Sequence, residues 1–208
     1  MKSPQADPLL SLNVSRETIG RLEALVGLMR KLNPAINLVA KSTLDDAWTR
    51  HIVDSAQIYS LAPQKTRLWA DLGSGGGLPG LVIACLAAQL QPEMVVALVE
   101  SDQRKAAFLS HVNQVLALNC RIIVDRIERV LPLKADAISA RALAPLEKLC
   151  AYADRHIDNG GIALFQKGVN YASEVELAKK NWKFSLEIHP SITESAAVVL
   201  KLAGLSHV

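Results

Sequence analysis

The chain has 208 residues, of which 50% are hydrophobic and 21% are charged. It is long enough to bury one ordinary core, and this composition excludes a disordered protein. The net charge of +3 is spread evenly, with 8 basic and 6 acidic side chains in residues 1–66, 8 and 7 in residues 67–142, and 7 and 7 in residues 143–208. Because no basic arm or stripe is visible, any nucleic-acid partner must be bound by a local patch.

The first 66 residues have a helical pattern and predict an N-terminal helical cap. Ser15 is a suitable N-cap for a first helix, which we expect to stop at Asn33-Pro34. Its apolar residues recur at three- and four-residue steps: Ile19, Leu22, Val26 and Met29. A second helix is expected to start after Thr43 and to end before Pro63.

Residues 67–208 predict an α/β domain, because short apolar runs alternate with helix-length segments. The expected strands are 67–72, 95–100, 121–125, 136–140 and 161–166, and the expected helices are 79–91, 102–118 and 145–158. Alternation of this kind predicts a mostly parallel, Rossmann-like sheet with right-handed crossovers. The last two runs, 183–189 and 196–203, have no helix between them and should form an antiparallel pair at the sheet edge.

The sequence also indicates a cytoplasmic protein. The longest apolar stretch, residues 78–90, is shorter than a membrane span, and the first ten residues lack the pattern of a signal peptide. The three cysteines are far apart, so we expect neither a disulfide framework nor a CxxC metal knuckle. The five histidines are scattered, and no metal site is expected.

The main functional signal is the glycine-rich segment from Asp71 to Gly80, which follows the first strand of the domain. Four glycines in five residues allow positive φ angles and a close approach of the backbone to a ligand. In an open α/β sheet, ligands bind at this carboxyl edge. The segment therefore predicts a binding loop rather than a purely structural turn.

Two ligands fit this loop. Counted from Gly75, it matches the dinucleotide pattern G-x-G-x-x-G, and Glu100 follows near the position of a ribose-binding carboxylate. Counted from Asp71, it has the D-x-G-x-G-x-G shape of S-adenosylmethionine-dependent methyltransferases. A carboxylate at Asp71 favours a cationic ligand and would repel a diphosphate. In both cases Glu100 is expected to accept the ribose hydroxyls.

With these residues established, the sequence closely resembles the glucose-inhibited division protein B family, the bacterial methyltransferases that modify guanine N7 in small-subunit ribosomal RNA. The resemblance covers most of the chain. It is carried by RHIVDS (50–55), DLGSGGGLPG (71–80), ARALAPL (140–146) and QKG (166–168). It implies a class I methyltransferase fold with S-adenosylmethionine as the cofactor.

The resemblance also implies a set of site residues. The backbone around Gly73, Gly75, Gly77 and Leu78 should line the cofactor pocket, together with Asp71, Glu100 and Ser101. Ile127 and Glu128 should lie against the adenine. Arg141 is expected at the mouth of the site, as the candidate catalytic residue and a further cofactor contact.

The chain lacks the motifs that two other base methylations require, and this lack is compatible with guanine N7 as the target. The chain has no Pro-Pro motif of the kind found beside methylated amino groups, and no cysteine suited to cytosine C5 chemistry. N7 has a free lone pair, so no general base is needed. An arginine that donated to N7 would block this lone pair, so Arg141 is expected to bind O6, a phosphate or the cofactor carboxylate.

His51 and Asp54 are three residues apart on the predicted second helix and therefore share a face. They could form an acid–base pair. We favour a structural role, in which Arg50, His51 and Asp54 attach the cap to the sheet or shape the substrate mouth.

The sequence leaves two other functions open, an NAD-dependent dehydrogenase and a non-catalytic RNA-binding or assembly factor with the same fold. For the methyltransferase, the partner is expected to be small-subunit ribosomal RNA within a ribosomal particle, because the chain lacks a long basic surface. We expect a monomer.

Overall fold

The structure of the protein is a computed structural model that describes residues 8–208. Its centre is a seven-stranded sheet with the order β3-β2-β1-β4-β5-β7-β6. The strands are β1 (Leu68–Leu72), β2 (Val95–Val99), β3 (Cys120–Ile123), β4 (Ala135–Arg141), β5 (Ile157–Lys167), β6 (Trp182–Pro190) and β7 (Val198–His207). The first five pair in parallel, and β7 pairs antiparallel with both β5 and β6. The expected antiparallel edge pair is thereby confirmed.

Helices cover both faces of this sheet. They are α1 (Pro8–Ser11), α2 (Arg16–Ile36), α3 (Asp54–Ala56), α4 (Gly80–Leu90), α5 (Gln103–Val115), α6 (Leu146–His156) and α7 (Tyr171–Ala178). Alternate residues of each strand face opposite sides. Trp69 and Leu98 therefore pack with α2, α4 and α5, whereas Ala70 and Val99 pack with α6 and α7.

The cap differs from the expectation at the end of α2. Ser15 is the N-cap, and its hydroxyl accepts from the Thr18 backbone N–H. Pro34 does not stop the helix but lies within its last turn. The helix continues to Ile36, and Asn37 ends it with a left-handed φ of 57°.

The expected second helix forms only in part, over residues 48–56, between short 3₁₀ turns. The chain forms a 3₁₀ turn at Lys41–Thr43, a π-helical segment at Trp48–Val53, the short α3 and another 3₁₀ turn at Tyr59–Leu61. This broken path brings polar side chains of the segment toward the carboxyl edge of the sheet, where they make the contacts described below.

Helix α7 was not expected from the sequence. It buries only Val175 and Ala178, so its apolar pattern is weak. The division into a cap over residues 1–66 and a domain over 67–208 stays a prediction, and residues 1–7 of that cap lie outside the described residues, as does most of the segment judged for a signal peptide. Among residues 8–208, no helix combines the length and hydropathy that a membrane span requires.

Candidate active site

A cavity of about 960 Å³ opens at the carboxyl ends of β1, β2, β4 and β5. The glycine loop and the residues that follow β2 and β4 form its walls, and the cap covers it from residues 38 to 57. Of the residues that the sequence assigned to the site, the cavity is lined by Gly73, Gly75, Leu78, Glu100, Ser101, Ile127, Glu128 and Arg141. Asp71 and Gly77 do not reach its surface.

The glycine loop needs glycine for two different reasons. Gly73, Gly75 and Gly77 all have positive φ angles, of 65°, 55° and 81°. A Cβ at Gly73 would lie 2.5 Å from Leu143 Cδ1, so the partly buried Leu143 side chain would have to move to admit it. A Cβ at Gly75 would have only the Gly73 carbonyl oxygen within 4 Å, at 3.8 Å. Gly75 therefore leaves open space that a ligand can fill.

Glu100 is hydrogen-bonded to the loop at Gly75. It is buried, and its carboxylate accepts the backbone N–H of Gly75 at 2.8 Å and that of Asp102 at 2.7 Å. An ionised carboxylate has about four acceptor positions, so each oxygen keeps capacity for a further donor. The side chain can thus fix the loop and still receive two hydroxyl groups.

Asp71 has a different place from the one expected. Its carboxylate points beneath the loop, where it accepts from the Ser139 hydroxyl at 2.7 Å and from the Gly80 N–H at 3.3 Å. Burial raises the pKa of this carboxyl to about 6, and the hydrogen bonds oppose the rise. Asp71 therefore joins the end of β1 to β4 and to the start of α4, and it does not contact the cavity. Gly77 is likewise packed against Leu81, which a Cβ would overlap.

The far wall of the cavity contains Ile127 and Glu128. Ile127 is buried, whereas the Glu128 side chain is half exposed. The Tyr152 hydroxyl donates to Glu128 at 2.6 Å, and this hydrogen bond lowers the pKa of the carboxyl. Lys148 lies 3.8 Å from the same carboxylate. This wall thus offers an apolar side chain beside a fixed acceptor.

Arg141 ends β4 and connects the sheet to the cap. Its guanidinium donates to the Arg50 carbonyl oxygen at 3.3 Å and to Asp54 Oδ2 at 3.2 Å, and it lies 3.4 Å from His51 Nδ1. Burial, and secondarily Arg141 itself, lowers the pKa of His51 to about 4. The imidazole is therefore neutral near pH 7, with Nδ1 accepting from Arg141 and Nε2 donating to the Thr43 hydroxyl.

Asp54 is the centre of the polar contacts at this end of the cavity. Its Oδ2 accepts from both Arg141 and Gln166, while its Oδ1 accepts from Gln57 and from Thr193 in the turn between β6 and β7. One carboxylate thus joins the cap, β4, β5 and the β6–β7 turn. Sequence reasoning did not single out Gln57 or Thr193. For Gln166, the only indication in the sequence is its place in the QKG motif.

Several solved structures with a similar fold are described as methyltransferases. The O-methyltransferase TomG from Streptomyces achromogenes matches with a TM-score of 0.57 and 12% identity, over 88% of this chain and 89% of that one. A predicted O-methyltransferase from Agrobacterium tumefaciens matches with a TM-score of 0.57 and 18% identity, over 72% and 80% of the two chains. These likenesses confirm the expected class I methyltransferase fold.

Sequence comparisons identify the family. Two relatives named ribosomal RNA small subunit methyltransferase G are 52% identical (Cereibacter sphaeroides, 95% of both chains) and 50% identical (Ruegeria pomeroyi, 95% of this chain and 97% of the relative). The family model GidB, described as rRNA small subunit methyltransferase G, matches residues 18–202. The predicted family, the methyltransferase activity and S-adenosylmethionine as cofactor are thereby confirmed. The chain belongs to the GidB family of small-subunit ribosomal RNA methyltransferases.

Proposed function

We propose that this chain transfers the methyl group of S-adenosylmethionine to N7 of a guanine in small-subunit ribosomal RNA. The observation that carries the proposal is the meeting, in one cavity, of the open glycine loop with Glu100 at one end and Arg141 at the other. Membership of the family supports the same reaction class. It also favours a methyltransferase over the two alternatives, a dehydrogenase and a non-catalytic factor.

The residues of the cavity fit this cofactor. Glu100 would accept the two ribose hydroxyls, and the space in front of Gly75 would admit the sugar and the chain attached to it. Ile127 and Glu128 would flank the adenine, Ser101 and Leu78 would complete the wall, and Asp71 would keep the loop in place from below. The cofactor supplies a methyl group on a positively charged sulfur.

At the end of the cavity where the substrate would bind, the target base has to be oriented, and no proton has to be transferred. The N7 atom of guanine has a lone pair and no proton, so attack on the methyl group requires no general base. His51 is neutral and already accepts from Arg141, which supports a structural role for it. Arg141, held by Asp54 and Arg50, would orient the base or a phosphate so that N7 meets the methyl group.

We further propose that the enzyme works as a cytoplasmic monomer on a ribosomal particle. The even charge of the chain supports this choice of substrate, because a protein that grips free RNA carries a long basic surface. In a particle, RNA shape and neighbouring proteins can supply what this surface lacks.

The deciding experiment uses ribosomal RNA and small subunits from a bacterial strain that lacks the gene for this protein. Purified protein and S-adenosylmethionine labelled in the methyl group are added, and digested nucleosides are analysed by mass spectrometry. Labelled 7-methylguanosine at one position of the small-subunit RNA is the expected product. A labelled adenosine, cytidine or 2′-O-methyl product, or no labelled product with either substrate, would contradict the proposal.

A further inference from the structure

Arg141 and Gln166 lie side by side at the carboxyl edge of the sheet. They are register partners on the parallel strands β4 and β5, and both line the cavity. The strand order places Glu100, after β2, on one side of the glycine loop and this pair on the other. If Glu100 holds the cofactor ribose, the pair lies at the end where the target base must enter.

The amide of Gln166 has a fixed orientation. Its Nε2 donates to the backbone oxygen of Asp54 at 2.9 Å and to Asp54 Oδ2 at 2.7 Å. Reversal of the amide would turn its oxygen toward these two acceptors, which electrostatic repulsion disfavours. The other end of the amide is therefore an acceptor, Oε1.

This acceptor is unsatisfied within the described part of the chain. Gln166 is 9% exposed, and its Oε1 is buried without a hydrogen-bond partner. An enclosed polar atom without a partner costs stability, so a water molecule, an ion or a ligand group is expected to pair with it. Since Oε1 has almost no exposed surface, a base that reaches it must move the side chains that cover it.

Arg141 supplies the complementary group. Of its five guanidinium N–H groups, three are directed at the Arg50 oxygen, Asp54 and His51 in the described residues. Two remain for a ligand. Because Asp54 Oδ2 receives both Arg141 and Gln166, the same carboxylate fixes the donor and the acceptor relative to each other.

We propose that Arg141 and Gln166 select guanine as the target base, with Arg141 donating to O6 and Gln166 Oε1 accepting from N1–H. Guanine presents N7, O6 and N1–H in this order around its edge, which matches the order of the glycine loop after β1, then β4, then β5. Adenine has a donor at position 6 and an acceptor at N1, so both contacts would be mismatched. This inference rests on the proposed function and names how its site chooses the base.

The test begins with the unchanged protein. Once the methylated nucleotide is located, small-subunit RNA is prepared with guanosine, inosine, adenosine or 7-deazaguanosine at that position. Inosine keeps O6 and N1–H, and we expect its methylation rate to be within about fivefold of that of guanosine. Adenosine should be methylated at least about 100-fold more slowly, because buried polar groups would be left unpaired.

Two variants then test the side chain itself. Gln166→Met keeps the approximate size and removes the amide; we expect transfer to guanosine to fall at least about tenfold and the preference over adenosine to narrow by a similar factor. Gln89→Met is the matched control, because the Gln89 amide also makes side-chain hydrogen bonds, to Ser15 and Thr18, but lies outside the cavity. The control should lose thermal stability without changing the base preference.

The outcomes separate this inference from the proposed function. Equal transfer to guanosine and 7-deazaguanosine, or none to guanosine, would overturn N7 methylation itself. If N7 methylation is seen but Gln166→Met keeps the rate and base preference of the unchanged protein, only the selection mechanism is wrong. Should the variant fail to fold, efficient methylation of adenosine or rejection of inosine by the unchanged protein would still contradict the proposal.

Discussion

At the scale of single residues, Gly75 gives the sharpest test of where the cofactor binds. Its φ of 55° and the open space in front of it mean that a branched side chain would project into the cavity. We expect Gly75→Val to abolish S-adenosylmethionine binding, measured by calorimetry. Gly204→Val is the control, because Gly204 has a φ of 62° and open space but lies on β7, outside the cavity lining. Equal affinity of both variants would place the pocket elsewhere.

Glu100 allows a second test, because the loss of a hydrogen bond to the ligand can be distinguished from a loss of local stability. Glu100→Ala should weaken S-adenosylmethionine binding by about 1.5–3 kcal/mol, the range for hydrogen bonds to a charged group. Asp102→Ala is the control: Asp102 caps α5 through the N–H groups of Arg104 and Lys105 and does not line the cavity. That variant should lose stability but keep affinity. An unchanged dissociation constant for Glu100→Ala would remove this residue from the site.

The raised pKa of Asp71 predicts that the unchanged protein and the variant Asp71→Asn differ in stability by an amount that depends on pH. Burial raises its pKa to about 6 in the folded protein from 3.8, so the folded state holds an additional proton between these values. Its contribution to stability is therefore fully present below pH 3.8 and is lost as the pH rises through 6. The asparagine of Asp71→Asn does not titrate, so this variant does not lose stability in the same way. Between pH 5 and pH 8, its free energy of unfolding should rise by about 1 kcal/mol relative to that of the unchanged protein. Denaturant titrations at both values test this, and parallel pH profiles would contradict it.

The same residue marks the limit of sequence reasoning at this scale. The pattern D-x-G-x-G-x-G located Asp71 at the end of a strand, but it could not tell on which side of the loop the side chain lies. That depends on Ser139, which is 68 positions away in the chain and reaches Asp71 only through the pairing of β1 with β4. Glu100, which follows a strand of the same sheet, lines the cavity, and its contact with the cofactor ribose stays a prediction.

At the scale of elements, the strands and the helices α2, α4, α5 and α6 were predictable because their apolar patterns are strong, whereas α7 was not. The segment between α2 and β1 was not, because its shape depends on polar contacts with distant strands. Asp54 meets Arg141 and Gln166 from β4 and β5, and His51 lies beside Arg141. The hydrophobic pattern of residues 41–61 contains no information about these distant partners.

Because these contacts connect two strands with the cap, substitution of Arg141 tests how the elements together form the proposed site. Arg141→Ala should keep the fold and most of the affinity for S-adenosylmethionine, while methyl transfer falls about a hundredfold, the loss that a misplacement of about 1 Å can cause. Arg141→Lys should restore little, because lysine lacks the planar fork that meets Asp54, the Arg50 oxygen and His51 together. Calorimetry and single-turnover transfer give the two readouts.

The control for this test is Arg155→Ala. Arg155 is more exposed than Arg141, but its guanidinium also donates twice to a backbone oxygen, that of Val130, and it does not line the cavity. Its loss should lower thermal stability and leave transfer unchanged. If Arg141→Ala instead loses cofactor affinity in parallel with activity, Arg141 binds the cofactor carboxylate and another residue orients the base.

At the scale of the whole molecule, the balance of charge bears on the proposed choice between a ribosomal particle and free RNA. The cavity is lined by six basic side chains (Arg50, Lys105, Arg126, Arg141, Lys148 and Lys167) and by six acidic ones (Asp54, Glu100, Asp125, Glu128, Glu174 and Glu194). The cavity therefore repeats the near balance of the chain, which has 23 basic and 20 acidic residues. From this balance we expect only a weak attraction of the phosphate backbone toward the site.

This balance predicts that small subunits lacking the modification are better substrates than protein-free ribosomal RNA. Binding that relies on neutralised phosphates falls steeply with salt, whereas recognition of a folded particle also uses its shape and its proteins. We expect the particle to be methylated at least about tenfold faster than the RNA at the same salt concentration. The advantage should grow as salt is raised from about 50 to 200 mM, because the weak contacts with free RNA are screened first. Initial rates on both substrates over this salt series test the prediction. Faster methylation of the protein-free RNA at matched salt would show that the balanced surface of this chain suffices to bind RNA alone.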